Sequence, residues 1–330
     1  MKKFNLISAA VVAFAGLTLG NAFAQHYPIK DKTVSFVVPF AAGGPTDKVA
    51  RDLAVAMGKT LGATIVVENV AGASGSIGAN KIAKANPDGY SLLLFHIGQA
   101  TLPTMLRKLP YNVENDFDFL GLVNDVPMTL IGRSTLPANN FAELRKWAAD
   151  NKGKTNLANA GVGSASSLCG MMFQSALGID MTTVPYKGTA PAMNDLLGGQ
   201  VDLMCDQTTN TTAQIEAKKV KAFGVTSPKR LTTAALKDIP TLQEVGLKDF
   251  QVSIWHGLYG PKGLPPAVSK KINDALKLAL KDPEFIKRQE GLGAIVVNDS
   301  RVEMAEHKKF VSAEIAKWSP VIKAAGIYAD

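Results

Sequence analysis

The feature that most constrains the fold is a regular alternation of strand-like and helical segments from residue 33 onward. The run "TVSFVV" leads into a helical pattern from Thr46 to about Leu61, which Gly62 ends. A strand-like "ATIVVEN", a helix that ends before Pro87 and the apolar run "YSLLLFHIG" follow. This βαβαβ order predicts a parallel sheet with right-handed crossovers.

A second unit of the same kind follows. Its strand-like runs are "FLGLV", "MTLIGR", "TNLANA", "TTVPY", "VDLMCD" and "KAFGVTS". The helices predicted between them span 140–151, 166–177, 190–197 and about 211–219. The long strand-like "FQVSIWHGLYGP" comes next, and helices are then predicted over 266–281, 283–291 and 301–325, around a short "AIVV".

This last part of the chain holds too few strands for a third domain, so we expect it to return to the first unit. The chain would then cross between two α/β lobes near residues 121–126 and 252–255, which predicts a two-strand hinge. The first lobe would hold residues 25–123 and 254–330, and the second would hold 124–253.

The N-terminus has the pattern of an export signal. Lys2 and Lys3 precede an apolar run over residues 6–19, and small residues surround a cleavage position after Ala24. The apolar run is too short for a membrane anchor, and no later segment approaches the roughly 18–20 apolar residues of a spanning helix. We therefore expect an exported protein of the bacterial periplasm, with residues 1–24 removed as a signal peptide.

Charge gives weaker information about partners. The 330 residues carry a formal charge of +8, and the lysines are scattered along predicted amphipathic helices without forming a basic block. This distribution does not support nucleic-acid binding. A mild positive bias would favour an anionic small molecule, although an ordinary solvated lysine surface explains it more simply.

Motifs of the common enzyme classes are missing or incomplete. Gly72, Gly75 and Gly78 precede a helix, but their spacing matches the dinucleotide fingerprint only loosely, and no acidic residue ends the next strand. The chain has no G-x-S-x-G or H-E-x-x-H motif, and its four histidines share no metal-binding spacing. We predict a protein that is not an enzyme and that uses no cofactor or metal.

Five residues have two interpretations each. Cys169 and Cys205 are either buried free thiols or a disulfide, which an exported protein permits. His96 and His256 follow apolar stretches and either line a cleft or, more simply, have a structural role. Asp206 either caps the helix after it or faces a ligand, which would then need to bring a donor or a cation.

The loops at the carboxyl ends of the predicted strands are rich in small and hydroxyl residues and poor in charge. They are "PFAAGGPTD", "NVAGASGSIG", "HIGQ", "GVGSASS", "YKGTAP" and "CDQTTNTT". Ligands of open parallel sheets bind at these ends, where N–H groups at helix N-termini favour negative charge. Such loops can bind a carboxylate but offer little with which to transform it.

Longer segments around these loops include "VSFVVPFAAGGPTDKVAR", "VVENVAGASGSIGANKIAKANPDGYSLL", "VPYKGTAPAMNDLLGGQVDLMCDQ", "KAFGVTSPKRL" and "WHGLYGPKGLP". Together they resemble the substrate-binding receptors of tripartite tricarboxylate transporters, the Bug-type periplasmic receptors. The resemblance covers nearly all of the mature chain. It implies an α/β fold of the two-lobed periplasmic binding protein kind (type II, Venus flytrap), each lobe a mostly parallel sheet flanked by helices, with a two-strand hinge.

The resemblance also implies a set of ligand-binding residues. The first lobe would bind a ligand carboxylate largely through backbone groups and bridging waters, and the opposite lobe would contribute further residues. The implied residues are Phe40, Ala41, Ala42, Gly43, Gly72, Ser74, Gly75 and Gly78 in the first lobe, and Ser164, Ser166, Ser167, Thr189 and Asp206 in the second. Ser167 stands where such receptors often have a histidine, so the ligand need not be one of the family's better-known substrates.

The resemblance thus predicts a monomeric periplasmic receptor that captures a small organic carboxylate and delivers it to cognate membrane permease subunits. A receptor that reports the ligand to a sensor kinase would need the same cleft and is the alternative prediction. Replacing Gly43 with a bulky residue such as valine is expected to weaken binding more than it unfolds the protein.

Overall fold

The structure is a computed structural model, and it describes residues 27–326. The predicted signal peptide and its cleavage position lie outside the described residues. The strands are β1 Val34–Val38, β2 Ile65–Asn69, β3 Ser91–His96, β4 Phe117–Arg133, β5 Asn156–Asn159, β6 Thr182–Pro185, β7 Leu203–Gln207, β8 Val220–Val225, β9 Ser253–Pro261 and β10 Ile295–Val296.

The helices alternate with these strands up to β8, and the last three helices lie in the C-terminal part of the chain. They are α1 Pro45–Leu61, α2 Ser76–Ala83, α3 Gly98–Met105, α4 Phe141–Asp150, α5 Ala165–Leu177, α6 Thr189–Leu197, α7 Thr208–Glu216, α8 Pro266–Ala279, α9 Pro283–Gly291 and α10 Met304–Ala325. Two short 3-10 turns, Ala73–Gly75 and Ser300–Val302, precede α2 and α10.

The first lobe is built on the predicted βαβαβ unit. Strand β1 pairs in parallel with β2 on one side and β3 on the other, as the alternation predicted. Helix α1 starts at Pro45, whose fixed φ suits a first helical position, and ends at Gly62 in the left-handed conformation. Its apolar stripe, which includes Leu53 and Met57, is fully buried in the core. Helices α8–α10 return to this lobe.

The second lobe repeats the arrangement around β5, which pairs in parallel with β6 and β7. The predicted α/β fold class, with two lobes, is confirmed: each lobe has a set of parallel strands with helices against it. The sheets as a whole are mixed, because β4 and β9 add antiparallel pairings. Helix α7 begins at Thr208, directly after β7, and so starts three residues before the predicted position. Helix α10 begins at Met304 and not at residue 301, because Asp299 caps a separate 3-10 turn over Ser300–Val302.

Strands β4 and β9 join the lobes. The two runs predicted as separate strands, "FLGLV" and "MTLIGR", form the single strand β4 of 17 residues. Its first part pairs with β9 up to Pro127 opposite Ser253, and from Met128 onward it pairs with β7 and β8. The separation into two strands was wrong because the strand changes partners without a turn. The lobe limits given above remain a prediction.

A disulfide joins Cys169 on α5 to Cys205 on β7, so the interpretation of the two residues as free thiols is wrong. Both cysteines are buried. The bond fastens α5, which begins at Ala165, to β7, which ends at Gln207. Both of these ends line the cleft between the lobes. Over residues 27–326, no helix is both long enough and apolar enough to span a membrane.

Candidate ligand-binding site

A small cavity lies between the lobes, where strands end and helices begin. Its volume is about 20 Å³, which is room for about one water molecule. The lining residues are Phe40, Gly44, Pro45, Thr46 and His96 from the first lobe, and Ala160, Ser164, Ala165, Ser166, Thr189, Asp206 and Gln207 from the second. Within this described lining there is no lysine or arginine, so the polar side chains of the cavity include no cation of these two types.

Four helices begin at the cavity. Gly44 precedes α1, Ser164 precedes α5, Thr189 is the first residue of α6, and Gln207 precedes α7. No described side chain caps the N-terminus of α1, α6 or α7, so their first N–H groups stay available. Each N-terminus stabilises a nearby anion by about 0.3–1 kcal/mol, and four together attract a carboxylate without a cationic side chain.

Asp206 is the one acid of the lining, and it is fully buried. Its Oδ1 accepts a hydrogen bond from the Gln207 backbone N–H over 2.8 Å, and its Oδ2 accepts one from Asn210 Nδ2 over 2.6 Å. Burial raises the pKa of the Asp206 carboxyl to about 6, although these hydrogen bonds and Lys48 act in the opposite direction. Asp206 therefore lines the cavity beside the start of α7, where it binds the N–H of the N-cap residue but caps no N–H of the first turn.

His96 lines the cavity as a neutral ring. Burial lowers its pKa to about 3, and its face stacks on Phe40 with the ring centroids 4.7 Å apart. The Gly98 backbone N–H donates to His96 Nδ1 over 2.9 Å, so the proton of the neutral ring is on Nε2. His256 stands behind the lining, within 3.3 Å of Thr46 Oγ1, and so has the structural position that the sequence favoured.

The serines of the "GVGSASS" loop are engaged in local hydrogen bonds. Ser164 Oγ accepts the N–H of Ser167 and thereby caps α5, while Ser166 Oγ accepts the N–H of Ala160. Thr189 is different, because its hydroxyl makes no well-formed hydrogen bond with any described residue. It does lie close enough to Asp206 to lower the pKa of that carboxyl. Thr189 Oγ1 is thus a buried polar atom that a ligand could satisfy.

Contacts between the lobes surround the cavity. The Ala41 N–H donates to Lys187 O over 3.3 Å, and Ser74 Oγ donates to Val162 O. Lys48 Nζ donates to Asn210 Oδ1 over 3.0 Å, and burial lowers the pKa of the lysine. Since a second bond links Asn210 to Asp206, the closed cleft ties α1 to the acid of the site.

Comparison with known proteins places this geometry in a family. A family model described as "Tripartite tricarboxylate transporter family receptor" matches residues 49–327. The chain belongs to this family. A UPF0065 protein from the TAR-I ttuE-ttuC' intergenic region of Agrobacterium vitis is 48% identical over 303 residues, which are 92% of this chain and 86% of the relative.

Solved structures agree with the family. The periplasmic binding protein BugD has 50% sequence identity and a TM-score of 0.89, over 92% of this chain and 100% of that one. MatC from Rhodopseudomonas palustris with bound malate has 36% identity and a TM-score of 0.85, over 90% of this chain and 100% of MatC. The protein is therefore a Bug-type periplasmic solute-binding receptor, and the predicted family is confirmed.

The structure brings part of the predicted set together in the receptor's cavity. The predicted residues that line it are Phe40, Ser164, Ser166, Thr189 and Asp206. Ala41 and Ser74 instead make the contacts between lobes given above, and Ser167 supplies its N–H to Ser164.

The remaining predicted residues shape the loops. Ala42 and Gly43 are exposed, and the Gly43 N–H donates to Asp47 Oδ2 over 2.9 Å. Gly75 and Gly78 allow close packing, because an added Cβ would lie 2.7 Å from Phe95 Cζ and 2.8 Å from Pro39 Cβ respectively. Gly72 likewise packs against a side chain of α2.

The sequence analysis missed several lining residues. They are Gly44, Pro45, Thr46, Ala160, Ala165 and Gln207. Most of them could have been found from their position at a helix start, because a ligand at a helix N-terminus meets the N-cap residue and the first turn. In α1, those positions are Gly44 to Thr46. The predicted residues Ala42 and Gly43 precede these positions and lie in the exposed part of the loop.

Asp206 should make the receptor's free energy of unfolding depend on pH. Because the folded pKa of about 6 lies above the unfolded value of 3.8, the folded state binds this proton more tightly. The resulting stabilisation is present at low pH and is lost as pH rises through about 6. Asp206→Asn removes the titration, so its free energy of unfolding relative to wild type should rise by about 2 kcal/mol from pH 4 to pH 7.

Urea unfolding of both proteins at the two pH values measures this change. The control is Asp238→Asn, which removes an exposed carboxylate elsewhere in the second lobe. A difference between wild type and Asp206→Asn that stays constant from pH 4 to pH 7 would contradict the raised pKa.

Proposed function

We propose that this receptor binds a small organic carboxylate in the cavity between its lobes and delivers it, as a monomer, to the membrane subunits of a tripartite tricarboxylate transporter. The observation that carries the proposal is the convergence of four helix N-termini on one cavity. That arrangement binds negative charge through backbone N–H groups alone. The malate bound to MatC supports a carboxylate as the ligand class.

In the proposed complex, the N–H groups at the start of α1 and α6 receive the carboxylate oxygens. The Thr189 hydroxyl and the His96 Nε2–H supply side-chain contacts, since both lie in the lining and Thr189 has no other well-formed bond among the described residues. A cavity of about 20 Å³ is too small for a whole ligand to enter while the lobes are together. Binding therefore begins with the lobes apart, and closure about β4 and β9 completes the site.

The described lining offers no activated nucleophile, so the bound molecule is expected to leave the site chemically unchanged. Around the cavity as described, the hydroxyls of Ser164 and Ser166 accept backbone N–H groups, and none of their hydrogen bonds goes to a base that could activate them. We further propose that the chain is exported to the periplasm and cleaved after Ala24, and that the lobes divide at residues 123/124 and 253/254.

A thermal-shift screen tests the ligand class. The mature protein is heated with succinate, malate, aspartate, adipate and an aromatic carboxylate, with sucrose as the uncharged control. A true ligand at a hundred times its Kd stabilises the folded state by about 2.7 kcal/mol and so raises Tm. Stabilisation by sucrose alone, with no effect of any carboxylate, would refute the proposal.

Delivery to the permease needs a separate measurement. Proteoliposomes that contain the cognate membrane subunits should accumulate the radiolabelled carboxylate only when the receptor is added. Uptake at the same rate without the receptor would refute the delivery step and leave ligand binding intact.

A further inference from the structure

A chain of buried hydrogen bonds runs from α1 and α9, across the hinge strands, to the wall of the cavity. We call it the relay. Its members, from the outer end inward, are Asp52, Gln289, Asn124, His256 and Thr46. All but the first are buried. Asn124 on β4 and His256 on β9 are register partners, so the relay crosses both strands that join the lobes.

Three of the four links of the relay are short, and the one at the cavity is longer. Gln289 Nε2 lies 2.9 Å from Asp52 Oδ2, and Asn124 Nδ2 lies 2.8 Å from Gln289 Oε1. His256 Nδ1 is 2.8 Å from Asn124 Oδ1. The last link, from Thr46 Oγ1 to His256 Nε2, is 3.3 Å.

The direction of these bonds follows from the outer end. A carboxylate only accepts hydrogen bonds, so Gln289 turns its amide nitrogen to Asp52 and its oxygen inward. That oxygen also only accepts, so Asn124 turns its own amide nitrogen to Gln289 and its oxygen to His256. The Asn124 oxygen can bind His256 only if Nδ1 of the ring carries a proton.

His256 therefore has one particular tautomer. Burial lowers its pKa well below the usual range, with a further contribution from His96, whose ring centroid is 6.0 Å away. A neutral ring with its proton on Nδ1 has an unprotonated Nε2, which accepts the hydroxyl proton of Thr46. The lone pairs of Thr46 Oγ1 then remain for the cavity that Thr46 lines.

The second lobe adds acceptors to the same cavity. Asp206 contributes a carboxylate, and Gln207 Oε1 is buried with no hydrogen-bond partner among the described residues. The helix N-termini thus offer donors for a carboxylate, while Thr46, Asp206 and Gln207 offer acceptors. A ligand that carries only carboxylates would bring no donor to these acceptors. Gln207 Oε1 would then stay without a hydrogen bond, and Asp206 would keep only its bonds from Gln207 and Asn210, next to a second negative charge, which is costly in a buried site.

We propose that the relay fixes the Thr46 hydroxyl as a donor to His256, so that Thr46 offers the ligand only an acceptor and the site selects carboxylates that carry a hydroxyl or ammonium group. The selectivity rests on the proposed carboxylate-binding function, whereas the direction of the relay does not. Thr46 is the residue that touches the ligand, and Gln289, Asn124 and His256 are positioning residues behind it.

The tautomer of His256 tests the relay without any ligand. Two-bond proton–nitrogen correlation spectra of ¹⁵N-histidine-labelled protein at neutral pH distinguish Nδ1–H from Nε2–H rings. His96 and His307 each accept a backbone N–H at Nδ1 and should give the Nε2–H pattern, which makes them internal controls. His256 should give the Nδ1–H pattern, and an Nε2–H pattern for it would overturn the proposal.

Gln289→Met tests the selectivity from a distance, because it breaks the relay on α9 without touching the cavity lining. Wild type should bind malate and aspartate about tenfold more tightly than succinate, which lacks the donor. In Gln289→Met, His256 should populate both tautomers, and the ratio of the affinities for malate or aspartate and for succinate should fall from about ten toward 1. Lys287→Met, an exposed neighbour on the same helix, should keep both properties of wild type.

Each outcome of the titrations decides a different claim. Equal affinity of wild type for malate, aspartate and succinate would refute the selectivity. So would a Gln289→Met protein in which the His256 tautomers are mixed but malate and aspartate still bind more tightly than succinate by the wild-type factor. If none of the three binds, the selectivity falls together with the proposed function, while the tautomer spectrum still decides the direction of the relay.

Discussion

Replacing Gly44 with valine is expected to weaken binding of the best carboxylate ligand by roughly 100-fold while the protein stays folded. Gly44 has φ −76°, which any residue can adopt, so the backbone tolerates a side chain. A Cβ there would lie 3.6 Å from Thr189 Oγ1 and 3.4 Å from Ala41 O, and the rest of the valine would fill the cavity. Overpacking of this kind costs about 1–3 kcal/mol, and here it reduces the free energy of ligand binding by that amount.

Isothermal titration of the carboxylate that stabilises wild type most, together with circular dichroism, measures both quantities. Gly198→Val is the matched control, because Gly198 has φ −79° and is exposed at the end of α6. It should bind like wild type. A folded Gly44→Val protein with unchanged affinity would remove this helix start from the site.

The structure changes the expectation for the neighbouring glycine. Gly43 has φ +81°, in the left-handed region where a β-branched side chain is strained. It is exposed, and its N–H is occupied by Asp47. A valine at this position should therefore reduce stability, so Gly43→Val no longer isolates the effect of the loop on binding.

Removing the disulfide is expected to be the largest single loss of stability. The bond between Cys169 and Cys205 closes a loop with a sequence separation of 36 residues. Restricting the unfolded chain by such a loop contributes about 3–4 kcal/mol in the chain-entropy account. Replacement of both cysteines with alanine should lower the free energy of unfolding by about that amount and Tm by roughly 5–10 °C.

Urea unfolding with and without reductant supplies the measurement and its control. Wild type should lose stability when reductant is present during unfolding, whereas the double alanine variant should be unaffected by it. Equal stability of the two proteins in oxidising buffer would contradict a stabilising bond between α5 and β7.

Much of the fold could be predicted because its signals are local. The apolar spacing of α1, Pro45 at its start and Gly62 at its end are all within one segment, and the helix forms where the pattern predicted it. The single strand β4 was not predicted, because no local feature tells whether a strand continues or ends when it changes partners. The pairing of Cys169 with Cys205 likewise depends on how α5 packs on β7.

The candidate site shows the same division. The glycine-rich and hydroxyl-rich loops were recognised because loops at the carboxyl ends of parallel strands meet at one edge of a sheet. Which residue of each loop faces the cavity was not recognised, since Gly43 and Gly44 look alike in sequence and differ in backbone conformation. The structural role of His256 depends on Thr46, which is 210 residues away.

The sequence by itself determined the family, the α/β order and the group of loops that form the cleft, because these properties follow from short-range periodicity and from the order of motifs along the chain. Only the tertiary structure decided which loop atoms line the cavity, which tautomer His256 adopts and whether Cys169 and Cys205 are joined. These properties depend on contacts between residues far apart in sequence, and such contacts exist only after the lobes fold and close.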